Sequence, residues 1–327
     1  MLGKGLSDFI LSLKPSKCII LCHHNADPDA IGSAYALSYL FNVLFPSMDV
    51  HIVAPEGISL LSSKLLSRLP SIDIYSDFDW ADLAVMVDTC SFVQLGSISD
   101  KMADLDIPLI VIDHHLPSEE VKCKASLLIV NDNASSTAEI VFSIFEELKV
   151  DVNRDVAFAL LVGLLYDSRR FIFASSNSFR MAAYLLDCGV DYGDVLNVLS
   201  TQMDVSERIA RLKAAQRLKI LRIKDWIIAL SHVSSFEASA ARALIDLGAD
   251  LALVVGGEKE LVRLSARSTK RFYEETGLHL GRDLMEPLGK LIHGGGGGHA
   301  TAAGANGVGD VDYVLKICVK MLREKLS

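Results

Sequence analysis

Three short apolar runs, each followed at once by a histidine or an aspartate, constrain the fold more than any other feature of this sequence. The runs are Cys18–Cys22, Leu83–Val87 and Leu109–Ile112. Strands buried on both faces of a parallel sheet are apolar throughout, whereas strands with one face in water alternate. Helical periodicity separates the runs, as over Ala30–Leu44. The first part of the chain is therefore predicted to be α/β, with a mostly parallel sheet flanked by helices.

The polar residues that end these runs predict where a site lies. Val50–Ala54 and Leu127–Val130 are predicted to be further strands of the same sheet. In such sheets, ligands bind at the carboxyl ends of the strands. His23 follows the first run, Asp88 the second and Asp113 the third. The sequence therefore predicts a functional site at this edge of the sheet.

The last third of the sequence restarts the α/β pattern and predicts a second, smaller α/β domain. Trp226–Val233 and Leu251–Gly256 are predicted strands, with a helix over Phe236–Leu247 between them. Gly294–Gly298 is predicted to be irregular backbone, because five glycines lose too much conformational entropy in a helix or strand.

Charge and cysteine content exclude several classes of protein. The net charge is −9, whereas long polyanions are gripped mainly by Lys and Arg, so a strongly basic nucleic-acid binder is excluded. Small phosphorylated ligands stay compatible, since a carboxylate site becomes less negative once cations load. Six scattered cysteines without a CxxC pair are typical of reduced thiols in a cytoplasmic protein. No signal-peptide pattern and no apolar run of ~20 residues is present, so no membrane association is expected.

The segment HHNADPDAIGS, which begins at His23, is the strongest candidate for a metal site. Asp27 and Asp29 stand two residues apart in a turn that opens a predicted helix. Two carboxylates this close repel each other unless cations neutralise them. The alternative is that both aspartates cap the helix while His23 lies on the surface.

Three further segments supply candidate ligands: VDTC at Asp88, DHH at 113–115 and YDS at Asp167. Each alone is also explained as a polar turn or an aspartate near the end of an element. Together the segments provide six nitrogen and oxygen ligands, namely His23, Asp27, Asp29, Asp88, His114 and Asp167. Imidazole and carboxylate without thiolate suit manganese, cobalt, iron or magnesium better than structural zinc. Asp113 is predicted to orient a ligand histidine from the second layer of residues around the metals.

A glycine-rich segment, HGGGGGHATAAG over 293–304, is the candidate substrate site. Glycines let backbone N–H groups approach an anion closely, and His299 can bond a phosphate or a base. The alternative is a flexible linker, but linkers are richer in serine. Arg267 ends a predicted strand and is a candidate phosphate clamp, or else a surface residue.

These segments resemble the ordered motifs of the DHH phosphoesterase superfamily. LSARS and GGGGGHATAAG resemble the DHH-associated C-terminal domain of its nanoRNase and RecJ-like branch, and the resemblance spans His23 to Gly304. It implies a phosphodiesterase with a cleft between two domains and two divalent cations, expected to be manganese, with magnesium or cobalt as alternatives. The chain departs from the pattern at Ala26, where proline is common, and at Ser168-Arg169, where Thr-Gly is common. The second departure adds positive charge near the cleft.

The resemblance also implies a role for each residue. His23 and Asp27 hold one cation, Asp88 bridges, and the other cation is held by Asp29, His114 and Asp167. The implied catalytic residues are Asp88 and His115, with His115 contacting the scissile phosphate or supporting protonation of the leaving group. The implied substrate-binding residues are Arg267, Gly296, Gly297, Gly298 and His299.

The implied function is hydrolysis of short oligonucleotides or small phosphorylated nucleotides, of the nanoRNase, 3′-phosphoadenosine-5′-phosphate or cyclic-dinucleotide-product type. A RecJ-like single-strand exonuclease is one alternative, and the acidic charge counts against it. A nucleotide-binding sensor without catalysis is another. A homodimer is one option for the oligomeric state. The predicted domains are a catalytic metal-binding domain over 1–188, a helical linker over 189–219 and a substrate-binding domain over 220–327.

Overall fold

The protein was analysed as a computed structural model, which describes residues 2–200, 203–258 and 261–326. The chain forms two compact units, Met1–Thr201 and Gln202–Ser327. The boundary between the two units falls within the predicted linker over 189–219, and residues 201 and 202 of this linker lie outside the described residues.

The first unit contains a six-stranded sheet in which every pairing is parallel, as predicted. The strand order is β3-β2-β1-β4-β5-β6. The strands are β1 Lys17–Leu21, β2 Asp49–Val53, β3 Ile74–Tyr75, β4 Leu83–Val87, β5 Leu109–Asp113 and β6 Leu127–Val130. Along β1, Cys18 and Ile20 pack into one core while Ile19 and Leu21 pack into another. Both faces of the strand are therefore buried, which explains its continuous apolar sequence.

Helices cover both faces of this sheet. They are α1 Leu2–Leu13, α2 Pro28–Leu44, α3 Leu60–Leu66, a 3-10 helix Phe92–Ile98, α4 Ser99–Asp104, α5 Glu119–Lys124, α6 Thr137–Leu148, α7 Arg154–Asp167, α8 Ser176–Asp187 and α9 Tyr192–Val198. Glycines, which lack a Cβ, allow helices α2 and α7 to pack closely. A Cβ on Gly32 would lie 2.5 Å from the Ala159 carbonyl oxygen, and one on Gly163 would lie 2.8 Å from Asp29 Oδ1. This packing brings the start of α2 against the last turns of α7.

The second unit is built on a mixed six-stranded sheet of order β11-β12-β10-β9-β8-β7. Its elements are α10 Val205–Gln216, β7 Lys219–Ile223, β8 Trp226–Val233, α11 Glu237–Asp246, β9 Leu251–Glu258, β10 Leu261–Ser268, α12 Lys270–Thr276, a π-helix Leu280–Met285, α13 Glu286–Leu291, β11 Gly295–Gly298, β12 Ala302–Val308 and α14 Val311–Leu326. Only β8 and β9 pair in parallel among the described strands of this sheet. Among the helices that the structure describes, none combines the length and the apolar character needed to cross a membrane.

The glycine-rich segment corrects one prediction. Gly294–Gly298 was expected to be irregular, but Gly295–Gly298 forms the edge strand β11 and pairs with β12. The close approach of neighbouring backbone explains the glycines: a Cβ on Gly296 would lie 1.9 Å from the Met285 carbonyl oxygen. Pairing with β12 and dense packing against the π-helix offset the entropy that the glycines lose on ordering.

Candidate metal centre

The candidate ligands lie at the carboxyl ends of three adjacent strands of the first sheet. His23 follows β1, Asp88 follows β4 and Asp113 ends β5, in the order β1-β4-β5. The strand order reverses beside β1, which is where a crevice opens in parallel sheets. The other carboxylates come from helix ends: Asp27 caps α2, Asp29 lies in its first turn and Asp167 is the last residue of α7.

The six predicted ligands form two sets that share Asp88, and a third group joins Asp88 and His114 to Asp113 and His115. The sets are His23, Asp27 and Asp88, and Asp29, Asp88, His114 and Asp167; within each set the atoms lie within 4.8 Å of one another. Asp88 Oδ2 lies 4.0 Å from His23 Nε2, whereas Asp88 Oδ1 lies 3.7 Å from His114 Nε2. The two oxygens of one carboxylate therefore face different sets, which is the arrangement of a bridging ligand.

The residues fit divalent cations. His114 Nε2 lies 2.9 Å from Asp167 Oδ2, yet this buried nitrogen makes no hydrogen bond of acceptable geometry among the described residues. An imidazole nitrogen and a carboxylate oxygen that converge in this way can both be ligands of one cation. Nitrogen and carboxylate donors without thiolate suit manganese or magnesium better than a structural zinc site.

Burial and mutual repulsion disfavour the anionic form of the central carboxylates. Burial, followed by the negative charges of Asp27 and Asp113, raises the pKa of Asp88 to about 7. Burial, followed by the charge of Asp88, also raises the pKa of Asp29, although the Ala138 N–H acts in the opposite direction. Carboxyl groups held together against repulsion indicate a site that requires added positive charge.

Three histidines of the site have raised pKa values, and the causes differ between His23 and His115. Burial lowers the pKa of His23, but the Asp27 carboxylate 3.8 Å away and the negative charge of Asp88 outweigh burial, and the net pKa is about 9. His115 is bonded through Nδ1 to Asp113 Oδ1 at 3.0 Å, and this contact is the main cause of its raised pKa. Asp113 thus bonds to His115, whereas Nδ1 of His114, the predicted ligand histidine, lies 3.4 Å from the Ala134 carbonyl oxygen.

Thr137 and Ala138, at the start of α6, contact the site but were not among the predicted residues. The N–H groups of Thr137 and Ala138 donate to Asp29 Oδ2 at 2.7 Å and Asp29 Oδ1 at 3.0 Å. The Thr137 hydroxyl donates to Asp88 Oδ1 at 2.9 Å. The helix N-terminus therefore holds one carboxylate of the second set and the carboxylate that both sets share. The sequence signal was the capping pattern SSTAE, which predicts a helix start but not its partners.

The second unit places some of the predicted substrate residues together. Arg267, Gly297 and Gly298 line a pocket of about 390 Å³, together with Glu237 and Arg263. The residues that line this pocket do not include Gly296 or His299. His299 instead follows β11, where its N–H donates to the Ala302 carbonyl oxygen at 2.8 Å.

Comparison with known proteins gives one family and several relatives. Residues 17–164 match the family described as DHH family, N-terminal domain, a range that includes every predicted ligand except Asp167. An uncharacterized protein of Methanocaldococcus jannaschii is 38% identical over 328 residues, with 96% of each chain covered. A Streptococcus mutans protein, named probable bifunctional oligoribonuclease and PAP phosphatase NrnA, is 31% identical over 200 residues, which cover 60% of this chain and 59% of that protein.

Among solved structures, an exopolyphosphatase-related protein from Bacteroides fragilis superposes with a TM-score of 0.57 at 20% identity. The comparison covers 99% of this chain and 97% of that one. At this identity the likeness shows a shared fold alone.

Proposed function

Because this chain belongs to the DHH family of metal-dependent phosphoesterases, we propose that it hydrolyses short oligonucleotides or small phosphorylated nucleotides with the aid of two divalent cations, expected to be manganese. The observation that carries the proposal is Asp88, whose two oxygens face two sets of ligand atoms. The name of the Streptococcus mutans relative, an oligoribonuclease and PAP phosphatase, supports the substrate class.

Each residue of the site has a role in this proposal. His23 and Asp27 would hold one cation, Asp29, His114 and Asp167 would hold the other, and Asp88 would contribute to both. Two cations held by these residues would stabilise the attacking and leaving oxygens of a phosphate and lower the pKa of water. The candidate ligands lie at the carboxyl ends of β1, β4 and β5 and at the ends of α2 and α7.

His115 is the proposed proton donor to the leaving group. Its side chain is 58% exposed and is anchored to Asp113 through Nδ1, so Nε2 is the ring nitrogen that can reach a substrate oxygen. The Asp113 contact raises the pKa of His115, which keeps the ring protonated closer to neutral pH.

Arg267, Gly296, Gly297, Gly298 and His299 are proposed to bind the nucleotide. The pocket that Arg267 shares with Gly297 and Gly298 supports the proposal for these three residues, because a guanidinium beside exposed glycine backbone suits a phosphate. For Gly296 and His299 the support is their place in the glycine-rich segment.

A hydrolysis panel in manganese tests the substrate class. It compares a 5′-phosphorylated dinucleotide, 3′-phosphoadenosine-5′-phosphate, a cyclic dinucleotide, a long 5′-phosphorylated single strand and pyrophosphate. We expect turnover of the dinucleotide or of 3′-phosphoadenosine-5′-phosphate in preference to the others. Preferred turnover of the long strand would favour a single-strand exonuclease, and tight nucleotide binding without any turnover would favour a sensor.

Neighbouring histidines provide a matched pair of variants for the metal site. His23 Nε2 faces Asp27 and Asp88, whereas His24 is exposed and bonds through Nδ1 to the Gln94 carbonyl oxygen at 3.0 Å. We expect His23→Gln to lower manganese-dependent hydrolysis by at least about 10- to 100-fold, the loss caused even by outer partners of metal ligands. His24→Gln should stay near the wild-type rate. Full activity in His23→Gln would remove His23 from the metal site.

A further inference from the structure

The backbone directly after Asp167 adopts a strained conformation. Arg169, Arg170 and Phe171 have φ angles of 48°, 55° and 69°, all in the left-handed region that glycine prefers. Non-glycine residues enter this region singly and rarely, so three in succession are an outlier. Strain of this kind persists where the surrounding structure enforces it, and it is concentrated at ligand sites.

Hydrogen bonds hold this turn in a single conformation. The Arg170 N–H donates to the Leu165 carbonyl oxygen at 2.8 Å, and the Phe171 N–H donates to Ser168 Oγ at 3.1 Å. Arg170 Nη2 donates to the Leu199 carbonyl oxygen at 3.3 Å, which ties the turn to the end of α9. These contacts connect the turn to the last turns of α7 and to the residue that follows α9.

The strained turn forms one wall of an open pocket of about 390 Å³. The lining combines aliphatic side chains, one aromatic ring and two guanidinium groups, among them Leu61, Tyr166, Arg169, Arg170, Ile172 and Leu199. We call it the Arg169 pocket. Aliphatic and aromatic walls with cationic groups suit a flat, weakly polar ring that is attached to a phosphate.

Tyr166 connects the Arg169 pocket with the candidate metal centre. It directly precedes Asp167 in α7 and also lines the pocket. Because its neighbour Asp167 is a candidate ligand while Tyr166 itself lines the pocket, this last turn of α7 borders both sites.

We propose that the Arg169 pocket binds a nucleobase of the substrate, next to the phosphate that the metal centre cleaves. This inference rests on the proposed function and adds a specificity site to it. The base packs against the Tyr166 ring and the exposed Ile172, and Arg169 stacks on the base. The charge is complementary, because two arginines beside the pocket attract an anionic nucleotide to a chain whose net charge is −9.

Arg169 is the residue on which the inference depends most. Glycine would adopt its φ of 48° without strain, so an arginine at this position is conformationally unfavourable. Its guanidinium lies over the Phe173 ring, 5.3 Å from the ring centroid, and a base in the pocket would be a second flat partner. Replacing Arg169 with glycine should therefore remove the contact and relieve the strain together.

The test compares base-carrying and base-free substrates. Hydrolysis of a 5′-phosphorylated dinucleotide in manganese is measured beside two analogues in which one or the other nucleoside is replaced by an abasic ribose. For the wild type we expect kcat/KM to be about 5- to 150-fold lower on one of the two analogues than on the intact dinucleotide, the range for one stacked base. For Arg169→Gly and Ile172→Ser we expect kcat/KM on the intact dinucleotide to fall by a similar factor, mainly through a higher KM. On the analogue that the wild type hydrolyses poorly, these variants should have nearly the same kcat/KM as the wild type.

The controls separate loss of the pocket from loss of the fold or of the metals. Arg169→Gly should melt at or above the wild-type temperature and bind manganese with unchanged affinity by calorimetry. Arg180→Ala is the matched arginine control, because Arg180 contacts only Ser176 and Asn177 of its own helix among its hydrogen bonds in the described structure. It should retain wild-type kinetics on every substrate.

The outcomes also separate this inference from the proposed function. The nucleobase site would be overturned, and the proposed function would stand, if Arg169→Gly lowered kcat/KM equally on intact and base-free substrates or did not lower it at all. Absence of turnover by the wild type on every nucleotide would instead overturn the proposed function.

Discussion

Thr137 contacts both Asp88, the carboxylate that the two ligand sets share, and the fully buried Asp29. Its hydroxyl donates to Asp88 Oδ1 at 2.9 Å and its N–H donates to Asp29 Oδ2 at 2.7 Å. Partners of this kind set the orientation of metal ligands, and their loss typically lowers metal affinity about 10- to 100-fold.

We therefore expect Thr137→Val to weaken manganese binding by roughly that factor, about 10- to 100-fold, in isothermal titration. Valine keeps the branched shape and the backbone N–H, so the Asp29 contact survives while the Asp88 contact is lost. Thr137→Ser keeps the hydroxyl and should bind manganese close to wild type. Identical affinities for the valine and serine variants would show that the hydroxyl does not position Asp88.

At this scale the sequence predicted that the candidate ligands lie close together, but it did not predict their hydrogen-bond partners. His23 and Asp88 each follow an apolar run, and this pattern indicates the end of a buried strand and therefore a shared edge. The partners of Thr137 lie 49 and 108 residues away, and nothing in the capping pattern indicates which groups the helix start will meet. The roles assigned to the ligands stay predictions until the variants are measured.

Strand β11 shows how the elements depend on glycine. A Cβ on Gly296 would lie 1.9 Å from the Met285 carbonyl oxygen, whereas a Cβ on Gly297 would have no atom within 4 Å. Neither residue has a positive φ. Two adjacent glycines of one strand therefore differ in steric environment and can be compared directly.

We expect Gly296→Ala to destabilise the protein by at least roughly 1–3 kcal/mol, since overpacking into rigid backbone has a penalty of that order. Gly297→Ala should keep or slightly raise the melting temperature, because alanine loses less entropy on ordering. If backbone at Gly297 approaches the substrate, this variant will raise KM without loss of stability. Equal melting temperatures for both variants would contradict the tight contact between β11 and the π-helix.

The same contact explains why this strand could not be predicted. The composition of Gly294–Gly298 opposes regular structure, and local propensity alone indicates irregular backbone. The strand forms because β12 pairs with it and the π-helix packs against it, both of which are tertiary effects. The apolar strands β4 and β5 were predictable because their own sequences require burial. The turn after Asp167 contains no glycine, so its local sequence did not indicate three successive positive φ angles.

At the scale of the whole molecule, stability is coupled to cations through the same carboxylates. Burial and repulsion raise the pKa of Asp88 to about 7, so the metal-free fold holds charges that oppose one another. A cation that binds only the folded state raises the free energy of unfolding by about 2.7 kcal/mol when its concentration is 100 times the Kd. Removal of metal should therefore lower the melting temperature, and manganese should restore it.

Asp88→Asn distinguishes the repulsion among the carboxylates from their binding of cations. The substitution removes one negative charge, while Oδ1 can still accept the hydrogen bond from the Thr137 hydroxyl. In a chelator, we expect this variant to melt at or above the metal-free wild type, since the repulsion is relieved. Addition of manganese should raise the melting temperature of the wild type by several degrees and that of the variant by little, because the variant lacks the bridging ligand. Asp132 is an exposed aspartate outside the ligand sets, so manganese should raise the melting temperature of Asp132→Asn as much as that of the wild type. An undiminished manganese shift in Asp88→Asn would mean that Asp88 does not bridge the cations.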